Sequence, residues 1–296
     1  MMKNNNVKVI CDGIANMPRE LAEQYDIEVV PLTVIVDGKE YSTSISSNAE
    51  LFRDNKIISS TDEQFYVMMR EAKDMPKTSQ ATYVDFKEIF DRHASDGKTV
   101  LYIAGSSKSS GTYQSAVLAS KDVEGDVHIF DSMSICFGCG MLVLTAARML
   151  NEGASLEDVL KELEVLRDRV FVSMSMNSLE YLKKGGRISN GKALVGNMLS
   201  LRPMLTVRDG LIFQEGQVRG NKKIVPTIIK RTKEVCGEDF SDRTIAIGCG
   251  DNLEDREQLK EAVLRELNPK ELILITINPP MCSHSGPGFI GLTCFR

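Results

Sequence analysis

Residues 99–121 read TVLYIAGSSKSSGTYQSAVLASK, and this stretch decides the fold class. Residues 99–104 are an apolar and β-branched run that reads as a strand. Residues 105–111 are small and mostly hydroxylated, and 111–121 then take up a helical pattern. A strand, a polar turn and a helix in that order form half of a parallel β-α-β unit. In sheets built this way, ligands collect at the carboxyl ends of strands. The turn also sets serine and threonine hydroxyls beside the free backbone N–H groups of a helix start, an arrangement that suits phosphate or carboxylate. It is not a P-loop, because Gly-x4-Gly-Lys-Ser/Thr is absent. It is not a nucleophile elbow, because Gly-x-Ser-x-Gly does not occur there. An ordinary capped turn is the plainer alternative.

The same alternation extends outward. A short apolar strand over 7–11 ends at Asp12-Gly13, and a brief helix over 18–24 carries Pro18 in its first turn. Residues 27–36 are predicted as one strand closing at the Asp37-Gly38 turn, and 42–60 as a long polar excursion. Helices are expected over 62–72, 83–93 and 139–150, with a strand at 127–130. Leu156, Val159, Leu160, Leu163 and Leu166 recur at helical spacing, with Ser155 as cap and Asp158 three residues on. Beyond residue 169 the pattern changes. A strand over 170–176 leads to a short helix broken at Gly185-Gly186. Apolar segments then flank Arg208-Asp209-Gly210, a hairpin signal. Helices over 224–235 and 253–267 and strands over 244–247 and 272–277 follow, and 278 onward reads as a Pro/Gly/Ser-rich tail. A hairpin in an α/β pattern implies a mixed sheet and a boundary near Arg169.

Composition narrows the function. The chain has 296 residues, 42% hydrophobic and 26% charged, with net charge -5, a soluble globular balance without a nucleic-acid footprint. No segment reaches the ~18–20 apolar residues that span a bilayer. Residues 1–6 are polar and lack a secretory pattern, so a cytoplasmic protein is expected. A transient contact with a membrane surface stays open. Seven cysteines read as reduced, buried thiols. With three histidines and no ligand spacing, no metal site is expected.

Four further segments carry candidate chemistry. Thr78-Ser79-Gln80 is a second hydroxyl cluster, of interest only where the fold brings it beside Ser110. Residues 181–189, YLKKGGRIS, place Lys183, Lys184 and Arg187 around two glycines, which suits a phosphate contact or a plain helix stop. His284 sits in a Gly/Pro loop and is either a site residue or a hydrogen-bonded structural one. Cys136-Phe137-Gly138-Cys139 is a C-x-x-C, read as close helix packing or as a redox pair. Few histidines are present to act as a base for the many serines.

These segments, in this order and across nearly the whole chain, resemble the DegV family of bacterial fatty-acid-binding proteins. The resemblance rests on Thr78-Ser79-Gln80, Ser110-Gly111-Thr112-Tyr113-Gln114-Ser115-Ala116, Asp131-Ser132, the 181–189 block, Arg202-Pro203-Met204-Leu205 and His284-Ser285-Gly286-Pro287-Gly288. It implies an α/β protein of two domains. An N-terminal three-layer parallel-sheet domain (1–168) and a C-terminal two-layer mixed-sheet domain (169–296) would hold a long-chain fatty acid between them.

The resemblance further implies that the hydroxyls of Thr78, Ser79 and Ser110 hold the carboxylate, with Gly111 also at the ligand and His284 in support. Arg187, Arg202 and Arg219 would meet a partner or phosphate. That partner would be a separate fatty-acid kinase that makes the acyl-phosphate, so the chain itself would be a carrier without a cofactor. Burying about 15 methylenes is worth roughly 12 kcal/mol gross at ~0.8 each, enough to retain the ligand. Fourteen Met and eleven Phe can supply an adaptable lining. Departures from the family are Gly13-Ile14 where a hydroxyl is usual, Ser109 for Leu, and Arg202 for Lys. Two rival readings are a serine-dependent acyl hydrolase using Ser110 with His284, and a thiol-disulfide protein using Cys136 and Cys139.

Overall fold

The computed structural model describes residues 6–43, 62–188 and 201–296. Val7–Asp12 (β1), Glu28–Val30 (β2), Thr99–Ala104 (β6) and Val127–Asp131 (β7) form a parallel sheet in the order β2-β1-β6-β7. β1 and β6 are buried on both faces; β6 accordingly reads as a continuous apolar run, whereas in β1 the run is interrupted by Lys8, which pairs with Asp26. Alternation along them sorts side chains into two cores. Ile10, Val100 and Tyr102 pack with Phe86 and Phe90 of Tyr83–Ser95 (α3) and Ala116 of Thr112–Ser120 (α4). Val9, Leu101 and Ile103 pack with Leu142 of Phe137–Asn151 (α5) and Leu163 of Leu156–Arg167 (α6). The result is a helix–sheet–helix sandwich. Ser155 caps α6 as expected, accepting from the Asp158 amide.

The second sheet is mixed. Its order is β10-β9-β8-β13-β11-β12, from Val170–Ser175 (β8), Leu201–Arg208 (β9), Leu211–Arg219 (β10), Thr244–Cys249 (β11), Glu271–Thr276 (β12) and Ile290–Phe295 (β13). Only β11 and β12 pair in parallel. Ile224–Cys236 (α8) and Leu253–Glu266 (α9) cover one face, packing Ile228 and Val263 on Ile245, Ile247 and Leu292. The other face meets the start of α5, where Gly138 lies against Val170 and Val172. The predicted hairpin turn is present, with Asp209 and Gly210 both at positive φ.

Two expectations are corrected. Residues 27–36 are not one strand. β2 ends at Val30, and Leu32–Val36 (β3) starts a separate antiparallel sheet with Lys39–Thr43 (β4) and Lys77–Ser79 (β5). Pro31 stands at the break, where its ring fixes φ and removes the N–H that a continuing ladder would need. Residues 278 onward are not a tail. Asn278 caps Pro279–Ser285 (α10) through its side chain, and the two prolines occupy the first helical positions, where no N–H is needed. β13 then runs through the middle of the mixed sheet. The predicted excursion over 42–60 lies outside the described residues from position 44 on.

Candidate functional site

A cavity of about 430 Å³ opens where the carboxyl ends of the parallel strands face the mixed sheet and the small antiparallel sheet. Four segments supply its polar side. β5 brings Thr78 and Ser79, and the turn from β6 into α4 brings Ser109, Ser110 and Gly111. α10 brings His284, and the residues after Glu180–Gly185 (α7) bring Arg187. These groups touch one another. His284 Nε2 is 2.7 Å from Thr78 Oγ1. Arg187 donates to the carbonyl oxygens of Ser109 and Gly185. Gln80 lies against Gly111 and donates to Ser115 Oγ at 3.0 Å. Ser79 and Gln80 are exposed, so this polar side forms the mouth. Away from it, Ile14, Leu32, Met174, Met176, Ile277 and Phe289 are buried apolar walls.

The 181–189 block has a steric explanation. Leu182 is buried in the cavity wall. A Cβ at Gly185 would stand 2.5 Å from His284 Nδ1, so only glycine lets α7 and α10 close around that ring. Gly186 ends α7 at φ 70°, a left-handed stop. Arg187 is thereby turned back into the cavity instead of outward with Lys183 and Lys184, which are exposed. Ser189 lies outside the described residues.

Electrostatically the mouth suits an anion. Burial, reinforced by the nearby Arg187 charge, holds the His284 imidazole down to about 4, so it is neutral near pH 7. Arg187 is then the cation lining the cavity among the described residues. Ser110 Oγ lies 2.9 Å from Thr112 Oγ1 and accepts from the Thr112 amide at 3.2 Å.

The structure thus brings Thr78, Ser79, Ser110, Gly111, His284 and Arg187 to one cavity. Arg202 is different. It is buried, and its guanidinium donates to Met176 O at 3.1 Å, Asn221 Oδ1 at 2.9 Å and Gly288 O at 3.2 Å. A side chain so enclosed ties β9 to the segments at residues 176, 221 and 288. Arg219 is exposed at the end of β10.

Ser109 does more than add polarity, since its hydroxyl and that of Ser106 both donate to Gly210 O at 2.7 Å. They fasten the β6–α4 turn to the hairpin of the mixed sheet. Sequence reasoning missed a second fastening. Asn16 Nδ2 donates to Thr276 O at 2.9 Å, the Asn278 amide donates to Asn16 Oδ1 at 2.7 Å, and Asn278 Nδ2 donates to Gly13 O at 2.8 Å. The positive φ of Asn16 is the local trace of that role. Asp12 caps the turn that follows it, accepting from the Ile14 amide at 2.7 Å, and Ile14 lines the cavity.

A model described as "Uncharacterised protein, DegV family" matches residues 6–296. The chain belongs to the DegV family. A DegV domain-containing protein of Caldanaerobacter subterraneus subsp. tengcongensis is 34% identical over 287 residues, 97% of each chain. A Thermotoga maritima protein named as fatty acid-binding is 32% identical over 288 residues, 96% of each chain. Among solved structures, a Thermus thermophilus DegV family protein described by its fatty acid binding superposes with TM-score 0.86 at 32% identity, covering 98% of this chain and 99% of its own. A Thermotoga maritima DegV lipid binding protein gives 0.87 at 30% identity, covering 98% of each chain. Within the DegV frame, no helix among the described residues is long and apolar enough to cross a membrane. No described cluster of His, Cys, Asp and Glu could hold a metal ion.

Proposed function

We propose that this chain carries one long-chain fatty acid, with the carboxylate at the Thr78–Ser110–His284 mouth and the acyl chain along the apolar walls. The observation that carries the reading is the polarity of the cavity. Hydroxyls, a neutral imidazole and one guanidinium gather at an exposed mouth, and buried aliphatic, Met and Phe side chains line the remainder. A single carboxylate matches that donor set, whereas a triphosphate calls for more fixed positive charge. The names of the relatives above support the same ligand class. The chain then presents the lipid to a fatty-acid kinase, with exposed Arg219 as a contact for that partner. It lies between two domains that meet near residue 169, one around each larger sheet.

The hydrolase reading is disfavoured by geometry. Among the described residues no hydrogen bond joins His284 to Ser110 or to a carboxylate, so Ser110 lacks an oriented base. The redox reading is disfavoured by burial. It pushes the Cys136 thiol up to about 12, against a smaller effect of the Phe137 amide, and raises Cys139 as well, so neither is a thiolate near neutral pH.

Mass spectrometry of an organic extract of the purified protein tests the carrier reading. A stoichiometric long-chain fatty acid is expected, and Thr78→Ala combined with Ser110→Ala should lower its retention by at least tenfold. An empty extract with no uptake of added palmitate or oleate would reject it.

A further inference from the structure

Phe289 lines two cavities at once. The second is an apolar space of about 30 Å³ between the start of α5 and strands β8, β11, β12 and β13. Ile135, Cys136, Met174, Ile277 and Phe289 border both, so only a layer of side chains separates them. None of the mouth residues reaches the second space. No charged side chain lines it, and its one hydroxyl, on Thr293, already donates to Phe171 O at 2.8 Å. A space lined this way stays dry and accepts hydrocarbon.

Beneath the Phe289 ring lies glycine. Gly248 and Gly291 face each other across the β11–β13 ladder. A Cβ on Gly248 would stand 3.0 Å from Ile277 Cδ1 and 3.6 Å from Phe289 Cε1. On Gly291 it would stand 2.9 Å from Met174 Cβ and 3.2 Å from Phe289 Cζ. The missing side chains let the ring lie down against the sheet, and its height above the sheet sets where the main cavity stops.

We infer that Phe289, seated on the Gly248–Gly291 pair, fixes the depth of the apolar cavity and thereby the acyl chain length the protein selects. The inference rests on the fatty-acid reading above. Replacing the ring by a smaller side chain joins the two spaces and lengthens the cavity. Adding a side chain beneath it lifts the ring and shortens the cavity. Each methylene admitted or excluded changes affinity about fourfold, so a two-carbon step changes the bound ratio about fifteenfold.

Wild type, Phe289→Leu and Gly248→Val are equilibrated with an equimolar mixture of lauric, palmitic, stearic and arachidic acids. The bound lipid is then read by mass spectrometry, with circular dichroism as the check on folding. Phe289→Leu should enrich the longer chains over wild type, and Gly248→Val the shorter ones. If Gly248→Val does not fold, Phe289→Leu decides alone. Folded variants that keep the wild-type distribution would overturn the depth role and leave the carrier reading standing. A wild type that binds none of the four acids would overturn both.

Discussion

His284 is a neutral imidazole enclosed by Thr78, Arg187 and a glycine, and that enclosure has a measurable sign. An ordinary histidine takes a proton near 6.5, whereas this one takes it only near 4 in the folded chain. Between those values the unfolded chain binds a proton that the native chain refuses. Stability is therefore undisturbed at pH 7 and falls as pH drops from about 6.5 through about 4, by up to roughly 3 kcal/mol. His284→Gln should flatten that part of a denaturant-derived stability profile. A profile with the same slope in both proteins would mean that another group titrates there. Ser110 stood out in the sequence because small hydroxyls at a strand-to-helix turn are locally unusual, whereas Thr78 and His284 were unremarkable alone and drew attention only through the family resemblance. The burial of Arg202 was not legible. The carbonyls it binds belong to residues 176 and 288, far away in the chain.

At the scale of elements, α7 and α10 act as one clamp. Tyr181 of α7 packs against Gly286 at the end of α10, and His284 of α10 packs against Gly185 of α7. Gly185 does not have a left-handed backbone, so Gly185→Ala tests space alone. The methyl group should push the ring off Thr78, costing about 1–3 kcal/mol of stability, with a matching loss of lipid retention. An unchanged melting temperature would mean that the clamp opens at no cost. β6 was readable as an element because burial on both faces leaves an uninterrupted apolar run. β13 was harder, since six residues of mixed type after a Gly/Pro stretch have no period of their own to announce a central strand. The break at Pro31 could have been read from the missing N–H. The identity of the small antiparallel sheet could not, because β5 pairs with β3 from more than forty residues away.

Across the whole molecule, the mouth of the cavity is drawn from four segments spread between residues 78 and 284, and the Asn16–Asn278 and Ser106/Ser109–Gly210 contacts hold the sheets around it in register. Arg219 stands outside this framework. Arg219→Ala should leave lipid retention intact and slow kinase-dependent phosphorylation of the bound acid several-fold at sub-saturating kinase. Equal rates for both proteins would remove Arg219 from the docking surface.

The central position of β13 also bears on how the protein is made. Both of its neighbours, β8 and β11, are synthesised before it. Until it emerges from the ribosome, each of them presents a bare strand edge able to pair with another nascent chain. Phe289, immediately before β13, arrives equally late. A chain stalled or released before this point would therefore expose two unpaired strand edges and lack the Phe289 wall of the cavity together.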